Sequence, residues 1–187
     1  MTTSFFSKDE LTTLGFKSVG DNVRISKFAR FYGISEISIG DNVRIDDFCI
    51  LSGNITLCSN IHIACYCALF GSAGIVMEDF SGLSSRVSIY SGSDDYLGNA
   101  LTGPQVPKKY RLLEEKTVTI KKHGLIGSGS LILPGGMINE GTVLGAMSLL
   151  KSDTDPWSIY VGSPAKKIKD RKSDIIPLME NSLNSSI

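Results

Sequence analysis

The sequence predicts an all-β fold, a triangular solenoid of short parallel strands with a short helix at each end. Three observations carry this: aliphatic residues recur every six positions, the pattern closes after three hexads, and small residues keep one fixed place within it. The segments SVGDNVRI, SIGDNVRI and LCSNIHI make the repetition visible.

One column of aliphatic positions is Val19, Ile39, Leu57, Met77, Ile120 and Ile138. A second is Ile25, Ile45, Ile63, Leu83, Ile126 and Leu144, and a third Phe31, Leu51, Leu69, Ile89, Ile132 and Leu150. Every one of these positions is apolar in a chain that is 42% hydrophobic. A helix would place its apolar neighbours three and four apart, so the spacing excludes it. Ile39 to Leu57 and Ile120 to Ile138 each span 18 residues, one turn of three hexads. Two turns run to 20, with the excess near Gly33 to Ile37 and Gly71 to Gly74, as loop bulges. Six turns or so result, each strand pairing with the strand one turn away.

The fifth position of the second-column hexads holds Ala29, Cys49, Cys67, Val87, Ser130 and Ser148. A sharp corner inside a narrow prism admits only side chains of that size, and it stacks Cys49 on Cys67. The open ends of such a solenoid need caps. Ser7 to Glu10 is a capping box ahead of Leu11, with Gly15 as a stop, and predicts a helix over 7–14. A second helix is expected over Ser173 to Ser182, with Pro177 near its first turn and a frayed end in NSLNSSI. The expected divisions are a helical cap over 1–18, the solenoid over 19–165, and a basic segment with a short helix over 166–187. The ladder breaks once. Ile89 and Ile120 are 31 residues apart where one hexad would be six, so an irregular insert fills 90–117. Insertions of that length in a small domain are uncommon and often functional.

Composition narrows the function. The 187 residues suit one domain, and 19 basic against 19 acidic residues give no reason to expect nucleic acid or a membrane surface as partner. No apolar run approaches the roughly 20 residues of a membrane span, and no signal peptide is visible, so the expected compartment is the cytoplasm. The four cysteines form no CxxC pair and are expected to be reduced and buried. There are two histidines, His62 and His123, and no HxH or HExxH motif. Zinc enzymes use three protein ligands, so no metal is expected.

The block IGSGSLILPGGMINEGTVLGAMSLLKSDTDPWSIYVGSPAKKIK, residues 126–169, resembles the closing coils of the hexapeptide-repeat acyltransferases. With the repeat, the resemblance extends from residue 19 to about 169. It implies a left-handed parallel β-helix, although parallel crossovers are ordinarily right-handed. It also implies acetyl-CoA as co-substrate, a sugar acceptor, and a homotrimer with active sites between subunits. The insert YSGSDDYLGNALTGPQVPKKY is similar to enzymes that N-acetylate a nucleotide-linked amino-deoxy sugar, which implies a 4-amino-4,6-dideoxy sugar in surface-polysaccharide (lipopolysaccharide, O-antigen) synthesis.

The site residues come from the resemblance and from acyl-transfer chemistry. In the related galactoside and maltose O-acetyltransferases a loop histidine takes the hydroxyl proton; Asp94 stands at that place here. A hydroxyl needs a base, whereas a neutral amine is already nucleophilic, so a carboxylate that orients an amine points to N-acylation. His62 sits where Arg24 and Arg44 sit in earlier turns, pointing outward. Asp94 and His62, the latter from a neighbouring subunit, are the catalytic candidates. Asp95 and Tyr96 are candidate sugar contacts, while His123 reads as structural or solvated. Gly127, Ser128, Gly145 and Ala146 are small residues on successive coils, as the family's CoA groove requires. Lys151, Pro164, Lys166 and Lys169 match positions near the CoA phosphates, and Lys167, Arg171 and Lys172 extend the basic cluster. No Ser or Cys is set in a triad, so direct attack of the amine on the thioester is expected rather than an acyl-enzyme. The alternatives are an O-acetyltransferase with His62 as base, a zinc hydratase on the same solenoid, and a solenoid without catalysis.

Overall fold

The computed structural model describes residues 4–174 and 176–184. The three columns exist as ladders. Val19 pairs through Ile39, Leu57, Met77 and Ile120 to Ile138, each strand parallel to the next. Phe31 runs likewise through Leu51, Leu69, Ile89 and Ile132 to Leu150. The second ladder runs from Ile25 to Leu144 and then takes one further rung, Tyr160. That face therefore has seven parallel strands, one turn more than the hexad count gives. The extra rung was hidden because Tyr160 is aromatic and the Pro156-Trp157 corner interrupts the spacing. Apart from Val19, Phe31 and Tyr160, at or near the ends, the column residues are buried and form a single core.

The corners explain the winding. Asn22, Asn42, Asn60, Phe80 and His123 lie one above another with φ between 53° and 60°, and Gly141 and Trp157 continue the row. A side chain in the left-handed region costs about 1–2 kcal/mol, least for Asn and none for Gly. The Asn amides offset that cost by bonding to one another, Asn22 Nδ2 to Asn42 Oδ1 at 2.8 Å and Asn42 Nδ2 to Asn60 Oδ1 at 3.2 Å. Further along, the same corner becomes a stack of rings, with Phe80 5.4 Å from His123 and His123 6.0 Å from Trp157. The next corner repeats the device with Phe48, Tyr66, Arg86 and Met147 at positive φ.

The small-residue corner is as expected: Ala29, Cys49, Cys67, Val87, Ser130 and Ser148 are all buried. Cys49 Sγ donates to the Ala64 carbonyl and Cys67 Sγ to that of Ser84, both at 3.1 Å. Contact with Cys67, then burial, pushes the Cys49 thiol up, so it stays protonated. Cys58 and Cys65 depart from expectation: they occupy outward hexad positions and are only half-buried. All four thiols are free.

The first helix, α1 (Lys8–Thr13), carries the full capping box with Ser7 as N-cap, and its Leu11 plugs the end of the core. The second, α2 (Ile176–Asn184), begins three residues later than expected and runs into the segment expected to fray; the rest of that segment lies outside the described residues. Before it, Lys166–Asp170, the start of the expected basic segment, is a strand folded back antiparallel on Ser158–Val161. The insert is not structureless either. Gly92–Asp94 and Leu113–Glu115 form an antiparallel stalk, and a 3-10 turn lies between them in sequence at Lys108–Tyr110. No helix among the described residues is long and apolar enough to cross a membrane.

Candidate active site

The chain leaves the solenoid after Tyr90, and Asp94 sits opposite Leu113 at the far end of the stalk that follows. Its two carboxylate oxygens are held from opposite sides. Arg111 Nη2 donates to Oδ1 at 3.1 Å, and the Gly103 amide donates to Oδ2 at 3.3 Å. Clefts lie on both sides of it. One, about 520 Å³, is lined by Ser72, Asp94, Lys108, Arg111, Leu113 and Glu115 among others. The other, about 390 Å³, lies between Asp94, Tyr96, Tyr90, Leu131 and Leu133. A carboxylate shared by two clefts is placed to face a molecule spanning both.

Asp95, an expected sugar contact, also has a local structural role. Its carboxylate accepts the backbone N–H groups of Leu97, Asn99 and Ala100, so it folds the turn after the stalk. Those bonds, Leu97's foremost, hold its carboxyl below the usual carboxylate range. Tyr96 is 92% exposed and lines the smaller cleft. Leu97, Leu101, Tyr110 and Leu112 are exposed around it, an apolar surface on the insert.

His62 lies elsewhere, on the outer side of the second face, where its position in the ladder comes after Arg44. The side chain is 53% exposed, and Nε2 lies 2.8 Å from Asp46 Oδ2, while Arg44 Nε donates to Asp46 Oδ1 at 2.7 Å. Burial alone would raise the Asp46 pKa; the bonds from His62 and Arg44 outweigh it and lower it. One chain does not bring His62 to Asp94, since they project from different faces.

The small residues of the expected CoA groove stack on adjacent coils. Ser128 and Ala146 are exposed, and Ser128 Oγ is 3.4 Å from Ser85 Oγ. Gly127 has a packing reason of its own: a Cβ there would lie 2.4 Å from the Ala146 nitrogen. Both requirements fall on the same residue, and either accounts for the glycine. Lys151, Pro164, Lys166 and Lys169 are all exposed. Lys172 is exposed as well, whereas Lys167 and Arg171 are engaged. Lys167 is paired with Asp155 and Asp170, and Arg171 Nη1 donates to the carbonyls of His123 and Gly141. His123 is structural, as expected: it is buried between Phe80 and Trp157, with Nε2 3.1 Å from Glu180 Oε2. Among the described residues, no three His, Cys, Asp or Glu side chains gather as a metal site. Sequence reasoning had no role for Arg111, Lys108 and Glu115, because nothing periodic links them to Asp94.

No protein-family model matches the chain. It is 44% identical over 178 residues to the dTDP-4-amino-4,6-dideoxy-D-glucose acyltransferase of Escherichia coli, covering 94% of this chain and 93% of that protein. Among solved structures it is similar to AntD, an N-acyltransferase from Bacillus cereus. The AntD complex with dTDP and 3-hydroxybutyryl-CoA is 50% identical, with a TM-score of 0.95, covering 99% of each chain. A variant in complex with dTDP-4-amino-4,6-dideoxyglucose and coenzyme A gives 50% and 0.94, covering 99% of this chain and 100% of that one. A hexapeptide-repeat acetyltransferase from Vibrio cholerae, 18% identical with a TM-score of 0.55 and coverage of 85% and 76%, shares the fold.

The ladder, the stalked insert and these likenesses define a class, the hexapeptide-repeat acyltransferases. Within it, the chain belongs to the family of N-acyltransferases of nucleotide-linked amino-deoxy sugars.

Proposed function

We propose that this protein transfers an acyl group, acetyl in the simplest case, from coenzyme A to the amine of a nucleotide-linked 4-amino-4,6-dideoxy sugar, in surface-polysaccharide synthesis. The observation that carries this is chain-long likeness, 44% to an acyltransferase named for that sugar and 50% to an N-acyltransferase in complex with it and coenzyme A. The geometry of the insert supports it: Asp94 is an anchored carboxylate between two clefts, suited to orienting an amine. Some AntD structures carry a replaced serine or aspartate with the numbers that Ser84 and Asp94 bear here. Ser84 comes directly after Leu83 on the outer side of the second face.

The neutral amine attacks the thioester carbonyl. An N–C bond forms, the C–S bond breaks, and one amine proton ends on the departing CoA thiol. Asp94 orients the amine and relays that proton. The small residues Gly127, Ser128, Gly145 and Ala146 leave room for the pantetheine arm. Lys151, Lys166 and Lys169, with Pro164 beside them, attract the phosphates. Asp95 shapes the loop on which Tyr96 meets the sugar. Activity belongs to a homotrimer in the cytoplasm, in which His62 of one subunit approaches the insert of the next. The exposed apolar residues of the insert favour such a neighbour.

Thiol release with acetyl-CoA tests the reading. An amino-sugar nucleotide should support turnover and its 4-hydroxyl counterpart should not. Turnover of the hydroxyl acceptor alone would reverse the assignment to O-acylation. Full turnover by both Asp94→Asn and His62→Ala would move the active site elsewhere.

A further inference from the structure

Arg111 carries a feature that the insert's fold does not explain. Its side chain is 13% exposed, and its Nε, among the described residues, is a buried side-chain nitrogen without a hydrogen-bond partner. Leaving a buried donor unpaired costs about 1–3 kcal/mol, more for a charged group. Nε–H and the adjacent Nη2–H form one edge of the guanidinium, the edge that takes a carboxylate in a fork. Here Nη2 already reaches Asp94 Oδ1, at 3.1 Å, while Oδ2 is turned away to the Gly103 amide at 3.3 Å. The fork is half-made.

The segments around it hold Arg111 in place. The Arg111 amide donates to the Lys108 carbonyl at 3.0 Å, closing the 3-10 turn. The Leu101 amide donates to the Tyr110 carbonyl, also at 3.0 Å, and ties that turn to the loop that leads to Gly103. The Gly103 bond is long and the Arg111 Nε–H is unpaired, so a turn of the carboxylate that brings Oδ2 to Nε completes the fork.

We propose that Arg111 is the positioning residue for Asp94: its guanidinium edge aims the carboxylate at the acceptor amine, taking both oxygens in the fork when substrate fills the clefts. This rests on the proposed role of Asp94 in orienting that amine. Arg111 lines the larger cleft, but in this role it acts through Asp94, so it supports turnover more than affinity for CoA.

The test is a double-mutant cycle on the full chain, with Arg111→Ala, Asp94→Asn and the pair, read in steady-state kinetics with acetyl-CoA and dTDP-4-amino-4,6-dideoxyglucose. Arg111→Ala should lower kcat about tenfold to a hundredfold, the equivalent of one charge-assisted bond, with the KM for CoA little changed. In the double variant the loss should not exceed that of Asp94→Asn alone, since the two act as a unit. Guanidinium ions should restore part of the Arg111→Ala activity and none of the Asp94→Asn activity. Arg111→Lys, which keeps the charge without the edge, should fall between wild type and alanine, and it serves if the alanine variant fails to fold. Losses that multiply in the double variant, or wild-type kcat in Arg111→Lys, would overturn the proposal. Wild-type turnover in Asp94→Asn would instead remove the placement of Asp94, a failure of the underlying reading.

Discussion

Single residues in this protein often answer to two demands, and Asp95 shows how to separate them. Its carboxylate gathers three backbone N–H groups, and those bonds lower its pKa. A lowered carboxyl contributes order above its unfolded value and loses it as pH falls through the folded one. Amide exchange at Leu97, Asn99 and Ala100, taken relative to the intrinsic rate at each pH, should therefore be slow at neutral pH and become faster below the ordinary carboxylate range. In Asp95→Ala it should be fast throughout; protection that survives the substitution would show the turn needs no carboxylate. Asp94, one residue away, was legible as a candidate from the family resemblance, which puts it at the place of the loop histidine. Its clasp with Arg111 was not, because a 17-residue contact across an irregular loop leaves no periodic trace.

At the scale of elements, the ladder explains what the sequence could and could not say. The columns were readable because each inward position recurs every six residues, and α1 because its capping box is local. The corners were only half readable. Asn22, Asn42 and Asn60 suit a left-handed turn by type, whereas Phe48 and Tyr66 take the same conformation with no propensity for it. Stacking offsets the strain there: Phe28 is 5.7 Å from Phe48, and Phe48 is 5.0 Å from Tyr66. The Asn corner makes a direct prediction. At φ +55°, Asn42→Val should lower unfolding stability by about 1–2 kcal/mol in urea melts, and Asn42→Gly by less. Equal losses would mean that the side-chain ladder, not the backbone, sets the corner. The seventh strand and the late start of α2 escaped for a related reason: Pro156-Trp157 and Pro177 punctuate the chain without dictating the conformation of the residues around them.

The whole molecule is a rigid prism with one arm. Its stacked turns fix a strip of small, exposed residues at Ser128 and Ala146, while the stalk carries Asp94 off the face and into two clefts. A solenoid gives distance and a loop gives chemistry; acyl transfer needs both, because the acyl carrier is long and the acceptor atom is small. The most direct measurement is a crystal structure of this chain with coenzyme A and dTDP-4-amino-4,6-dideoxyglucose. The acceptor nitrogen should lie within hydrogen-bond reach of Asp94, with the pantetheine arm beside Ser128 and Ala146. An amine held by other side chains, with Asp94 still turned to Gly103 and remote from the sugar, would contradict that placement.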